Sequence, residues 1–572
     1  MKRKGHRRQG LERTANILRQ IRQILRVIYS KDVADRMFGP LKNRMDVYAR
    51  DENISYKRRK YGHRPIISEK DSILITYADT IYEENEKPLK TLHKFLRRYI
   101  KDTITGVHIL PFFPSSSDGG FAVINYKEVD QRLGSWKDIR RISRDYHLMV
   151  DLVLNHVSSR CKWFQRFLQG DKRYRDYFIW YDSPVEMPEV FRPRETPLLT
   201  RFDTAMGEKY VWTTFSADQI DLNYKNPEVL MRIIDVLLYY LSQGAAIIRL
   251  DAIGYIWKEP HTSCVNLSKT HQIVKLFRRI LQYVAPYAML LTEANFPYKD
   301  NISYFGEGDE AHMVYHFSLP PLVLDAFARK DSTHIQTLAK KTRDDLLFFD
   351  FLASHDGIGL PGARGILTEK QIANLVERTL KHGGFVSYMK TKDKKEPYEL
   401  NITYFDAIND PNDPNDQLQV ERFIASQAIM LLLRGVPGIY IHSLLGSRNY
   451  REGVEKTGIK RMINRQRLKL EEVEDSLRDN SSLRRRVLEN YLRLLDSRKR
   501  IRSLHPGSKR RVIDLDTRLV SLERSYGREK ILGIVNVSDQ TIPLPEHELR
   551  FDLISRTLFD GEVPPYGVYA LE

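Results

Sequence analysis

Three carboxylates stand at the ends of apolar runs in this sequence: Asp251 in AIIRLDAIGY, Glu293 in AMLLTEAN and Asp356 in LLFFDFLASHD. Asp79, Asp151, Asn155, His156, Arg249 and His355 occupy comparable places. Burying a carboxylate is costly unless it is paired, hydrogen-bonded or put to use. One such acid would read as an ordinary salt bridge, whereas a row of them calls for a task. Two carboxylates astride a sugar's anomeric carbon can break a glycosidic bond. One attacks the carbon while the other protonates the leaving oxygen, and a separation of about 5 to 5.5 Å gives retention. This chemistry requires no metal or other cofactor. Arg249 precedes Asp251 by two residues, so both side chains leave a strand on the same face and the guanidinium keeps the aspartate ionised as a nucleophile. Glu293, among apolar neighbours, is expected to titrate high enough to act as a proton donor. Asp356, beside His355, is placed to face positive charge developing on a sugar ring.

These groups need a scaffold that brings strand ends to one place. Eight short apolar runs alternate with amphipathic segments: 73–81, 106–113, 147–156, 246–255, 288–295, 313–319, 346–356 and 436–446. That alternation predicts βα units closed into a (β/α)₈ barrel, whose active sites lie at the C-terminal ends of the strands. Two gaps are too long for simple crossovers, residues 157–226 and 357–415, the second ending in the turn-rich NDPNDPND. The expected organisation is a basic helical extension over 1–70, a barrel over 71–156 and 227–505, and a lid over 157–226. A second insertion spans 357–415, and short strands over 506–572 make a C-terminal β-domain.

Composition sets the remaining bounds. The chain has 572 residues, 42% of them hydrophobic and 29% charged, which excludes wholesale disorder. No apolar run is long enough for a membrane helix, and MKRKGHRRQG does not resemble a signal peptide, so a cytoplasmic protein is expected. Cys161 and Cys264 lack any disulfide or metal-binding pattern. His312 and His316 share i, i+4 spacing, but without a third ligand they are read as structural and no metal site is assigned. The formal net charge of +18 is concentrated toward residues 1–70, which makes a solvated basic surface a better reading than a nucleic-acid interface. A small anionic substrate is compatible with it.

Taken together, DLVLNH (151–156), IRLDAIG (248–254), LLTEAN (290–295) and FLASHD (351–356) resemble, in order, the four short regions of the α-amylase clan, glycoside hydrolase family 13. The resemblance covers residues 70–572 and implies Asp251 as nucleophile, Glu293 as general acid/base and Asp356 as the carboxylate that stabilises the transition state. It also implies Tyr126, His156, Arg249 and His355 as supports of the sugar. Narrower stretches, among them LITYAD, HILPFFPSSSDGGF, WTTFSADQIDLNY and DEAHMVYHFSLPPLVL, look like the sucrose-phosphorylase subgroup, which transfers one glucosyl unit to phosphate. By that similarity Asp79 and Arg461 grip the far end of the glucosyl group, while Arg194 and Tyr255 meet phosphate.

Two departures bear on the acceptor. His261 stands in KEPHTSC where the subgroup usually has Gly, and Glu399 in PYELNITYFDA stands where sucrose-specific members carry Gln. Together with the N-terminal extension, RPRETPLL and LLGSRNYREGVEK look most like the glucosylglycerate phosphorylase branch. The implied partners are small molecules: an α-glucoside, inorganic phosphate as substrate, α-glucose 1-phosphate, and an acceptor such as D-glycerate. Fructose 6-phosphate, glycerol and fructose are the alternative acceptors, and a homodimer is an expected assembly. An anionic acceptor needs a cation, for which Arg192, Arg201 and Arg364 are candidates. A hydrolase or transglycosylase on the same machinery competes with this reading, and a non-enzymatic basic scaffold is the third alternative.

Overall fold

Strands of a parallel barrel are covered on both faces, so they need continuous apolar sequence, and the eight runs supply it. The computed structural model describes residues 2–62, 67–390, 395–413, 416–544 and 550–572, with the side chains of residues 2–11 and 390 left aside. The strands are β1 (Ile73–Thr76), β2 (Gly106–Ile109), β3 (His147–Val153), β4 (Ala245–Asp251), β5 (Met289–Thr292), β6 (Met313–Tyr315), β7 (Phe348–Phe351) and β8 (Val436–Tyr440). All pair in parallel, and β1 closes the barrel by pairing with both β2 and β8, Ile73 lying opposite Gly106 and Gly438. Large and small residues alternate across the interior. A Cβ at Gly438 would lie 2.4 Å from the Phe349 ring, so this position must be glycine for Phe349 to fill the centre.

Residues 2–62 form three helices, α1 (Lys2–Ile28), α2 (Lys31–Ala49) and α3 (Glu52–Tyr61), laid on the barrel's outer helices α4 (Pro227–Ser242) and α5 (Ser268–Val284). Ile17, Ile21, Leu25 and Ile28 recur at three-to-four spacing on α1 and are buried, as are Ala34, Met37, Leu41 and Met45 on α2. Polar anchors complete the seam: Tyr29 Oη donates to the Tyr224 carbonyl (2.8 Å), Asn53 Nδ2 to Ser242 (2.8 Å) and Lys57 Nζ to Gly244 (2.5 Å).

Both long gaps carry structure of their own. The first holds a helix (Lys162–Leu168) and an antiparallel sheet of Trp180–Tyr181, Gly207–Trp212 and Leu199–Thr204. It returns to the barrel through His156–Ser158 paired with Gln219–Asp221. The second holds Ile358–Gly359, Phe385–Lys390 and Lys395–Asn401 as a sheet with a helix at Glu369–Lys381. Of the turn-rich NDPNDPND stretch, residues 414–415 lie outside the described residues. A six-stranded sheet, led by Lys509–Val512, Leu519–Tyr526 and Glu529–Asn536, ends the chain. Among the described residues no helix is long and apolar enough to cross a membrane.

Candidate active site

The C-terminal ends of the strands open into one cavity, and its lining includes Asp251, Glu293, Asp356, His156, His355, Arg194, Tyr255, Glu399 and Arg461. The last residue of β4 is Asp251, and Ala252 then adopts a left-handed conformation, φ 49° and ψ 34°. This turn aims the Ala252 N–H at Glu293 Oε2, 2.9 Å away. The two carboxylates are thus tied together through one residue of backbone, and the strain of a non-glycine left-handed residue falls beside the reacting groups.

Arg249, also on β4 and buried, donates to Asp251 Oδ1 (2.7 Å) and Asp151 Oδ1 (2.5 Å), and its other nitrogen lies 3.9 Å from Glu293 Oε1. His108 contacts the second oxygen of Asp151 at 2.7 Å. Asp151 therefore balances two basic neighbours, which hold it down at about 2 although burial opposes ionisation. Burial pushes the carboxyls of Asp251 and Glu293 above their ordinary values, and Arg249 pulls both back. The guanidinium lies much nearer Asp251 than Glu293, so it favours the ionised form of Asp251 the more strongly. Asp356 behaves oppositely: burial would raise it, but Arg461, His355 and Arg465 hold it well below the carboxylate range. Arg461 contacts Asp356 and clasps Glu399 through two bonds of 2.8 and 3.1 Å. Gly357 makes the clasp possible, since a Cβ there would lie 2.5 Å from Glu399 Cγ.

Aromatic rings wall part of the cavity. Phe121 stacks on His355 with centroids 4.9 Å apart, and Phe215 meets the rings of Tyr255 (5.2 Å) and His156 (5.3 Å) edge-on. Gln219 Nε2 lies 3.1 Å from both Asp118 Oδ2 and His156 Nε2. Burial lowers the pKa of His156 and of His355, which favours neutral imidazoles there.

Several expected residues lie elsewhere. Asp79 is absent from the lining and pairs with Arg467 at 3.3 Å; Asp118 stands in the cavity instead. Tyr126 is buried behind it, its hydroxyl donating to the Val153 carbonyl at 2.7 Å, so it holds the end of β3 and does not face the cavity. Of the cations considered for an anionic acceptor, Arg192 donates to the Thr196 carbonyl, Arg201 pairs with Glu208 on an exposed hairpin (2.6 Å), and Arg364 pairs with Glu396. None lines the cavity. Each is engaged within its own loop, Arg201 and Arg364 by carboxylates and Arg192 by a carbonyl, and Arg194 and Arg461 are the cations that do line the cavity. His261, with φ 61°, lines a separate cavity with Cys264, Trp180 and Trp212. His312 accepts from the Leu290 N–H (2.9 Å) and His316 bonds Asp350 (2.6 Å), both inside the fold.

Sequence reasoning passed over Asp118, Phe121, Phe215, Gln219, Asn295, Phe317 and Tyr398, all of which line the cavity. Their signal lies in DGGF and WTTFSADQ, stretches beyond the barrel strands whose path into the cavity no periodicity encodes.

The catalytic-domain model of α-amylase matches residues 95–352. A glucosylglycerate phosphorylase from Spirochaeta thermophila is 52% identical over 474 residues, covering 82% of this chain and 80% of that protein. One from Allomeiothermus silvanus is 46% identical over 504 residues, 87% and 90% of the respective chains. The crystal structure of sucrose 6F-phosphate phosphorylase from Thermoanaerobacter thermosaccharolyticum superposes with a TM-score of 0.73 at 28% identity, over 82% of this chain and 94% of that one. The chain therefore belongs to the α-amylase family, glycoside hydrolase family 13, on the branch it shares with these phosphorylases.

Proposed function

We propose that the protein catalyses the reversible phosphorolysis of 2-O-α-glucosyl-D-glycerate to α-glucose 1-phosphate and D-glycerate by double displacement. Asp251 attacks the anomeric carbon while Glu293 gives its proton to the departing glycerate oxygen, leaving a β-glucosyl ester on Asp251 and a glutamate carboxylate. Phosphate then attacks the same carbon from the vacated side, its proton passes to Glu293, and the ester bond to Asp251 breaks. Two inversions leave the α configuration. Asp356, ionised and fixed by Arg461, faces the oxocarbenium-like charge in both steps.

The observation that carries this reading is Arg194. It lines the cavity with its guanidinium over the Tyr398 ring, 5.7 Å from the centroid, and among the described residues no carboxylate pairs with it. Arg249 and Arg461 are already spent on carboxylates, so Arg194 is the lining cation left for an incoming anion. The names of the two phosphorylase relatives support the same substrate class.

The test is a comparison of acceptors in the synthetic direction, with α-glucose 1-phosphate as donor and D-glycerate, glycerol, fructose or fructose 6-phosphate as acceptor. D-glycerate should give the highest kcat/KM. In Arg194→Ala, loss of a charge-assisted contact worth about 1.5 to 3 kcal/mol should raise the phosphate KM by roughly ten- to a hundredfold. Glucose formed from the glucoside at one rate with and without phosphate would establish a hydrolase instead.

A further inference from the structure

We infer that Asn295 recognises the acceptor, placing a neutral amide beside Glu293 to bind the molecule that receives the glucosyl group; the inference rests on the phosphorolysis reading. Asn295 follows Glu293 by two residues and lines the same cavity. Its Oδ1 is buried and has no hydrogen-bond partner among the described residues. A buried amide oxygen is costly to leave unpaired, and where a fold tolerates one in a binding cavity, a ligand is the natural partner.

Most other polar groups of the cavity are already committed. Arg249 holds Asp251, the Ala252 N–H holds Glu293, and Arg461 holds Asp356 and Glu399. His156 and Asp118 share Gln219. Those pairs prearrange the glucosyl half. Asn295 stands outside them, and the fold keeps space for it: a Cβ at Gly359 would lie 2.5 Å from Asn295 Nδ2 and 3.0 Å from Oδ1. Gly359 is in register with Glu399 on the neighbouring strand, so the unpaired amide, the clasped glutamate and the acid/base border one side of the site.

An amide offers two N–H donors and one acceptor with no net charge. It can give hydrogen bonds to a carboxylate and take one from a hydroxyl, which matches a small hydroxy acid. Glu399 could do only the second, and its charge is already engaged by Arg461.

Three variants test this: Asn295→Ala, Asn295→Asp and Gly359→Ala, assayed as full-length enzyme with α-glucose 1-phosphate and the four acceptors, scoring the ratio of acceptor transfer to hydrolysis. In Asn295→Ala that ratio should fall at least tenfold for whichever acceptor the wild type uses best. Asn295→Asp, nearly the same shape but without the N–H donors and with a negative charge, should lower kcat/KM for D-glycerate at least tenfold more than for glycerol. Gly359→Ala displaces the amide without deleting it and should raise the acceptor KM; it tests the same contact should the Asn295 variants fold poorly. An Asn295→Ala enzyme with the wild-type ratio, or an Asn295→Asp enzyme that loses glycerate and glycerol equally, overturns the inference alone. A wild type that transfers to none of the four acceptors overturns the phosphorolysis reading and the inference with it.

Discussion

Arg249 distinguishes the two buried acids by its distance from each. Its guanidinium is 2.7 Å from Asp251 and 3.9 Å from Glu293, which favours the ionised form of the first over that of the second. The proposed double displacement needs Asp251 ionised and Glu293 protonated, so kcat/KM should follow a bell in pH. Its alkaline limb comes from Glu293, whose pKa burial raises. In Glu293→Gln that limb should vanish; a surviving alkaline limb would assign it elsewhere. Removing the proposed nucleophile is the more severe change. Asp251→Ala should lose more than about a thousandfold in kcat. Added azide should then distinguish the two roles by stereochemistry: α-glucosyl azide from Glu293→Ala, where the covalent ester still forms, and β-glucosyl azide from Asp251→Ala. The same anomer from both variants would contradict the assignment of nucleophile and acid/base.

At the scale of elements, the barrel was legible because its strands are apolar on both faces and several lead into polar residues at or just past their ends, as IIRLD, MLLTEA and FFDFLASHD do. The meeting of Asp251, Glu293 and Asp356 in one cavity came with it, since strand ends converge wherever a barrel closes. Loop residues were harder to read. Asp79 follows β1 closely and looks like one more strand-end acid, yet it reaches Arg467, while Asp118 enters the cavity through a loop whose path no periodicity encodes. The Arg461–Glu399 clasp joins residues 62 apart and depends on Gly357, a contact that spacing cannot announce. The N-terminal helices read correctly as helical, but their seam with the barrel hid a buried lysine. Burial, with Lys60 adding repulsion, pulls Lys57 from 10.5 down to about 7. Between those values the unfolded chain binds the extra proton, so this residue's contribution to stability rises with pH from about 7 to about 10.5. Urea denaturation of the wild type and Lys57→Met should therefore diverge in that window, the wild type gaining on the variant as pH increases. A constant difference would show that Lys57 titrates normally.

Across the whole molecule, the cavity is assembled from the barrel and both insertions. The barrel supplies Asp251, Glu293 and Asp356 from strand ends and the turns just beyond them, whereas the two insertions supply Arg194, Phe215 and Gln219 on one side and Tyr398 and Glu399 on the other. In the proposed mechanism the strands hold the reacting groups, and the insertions together with barrel loops such as that of Asn295 face their partners. Double displacement requires that one glucosyl ester on Asp251 be made and broken by two different partners at one site. Exchange of labelled inorganic phosphate into α-glucose 1-phosphate, with no other acceptor present, isolates that requirement. A glucosyl–enzyme that phosphate can both form and capture predicts exchange in the wild type, abolished in Asp251→Ala. Absence of exchange in wild-type enzyme that turns over glucosylglycerate would contradict it, because both partners would then have to be bound at once.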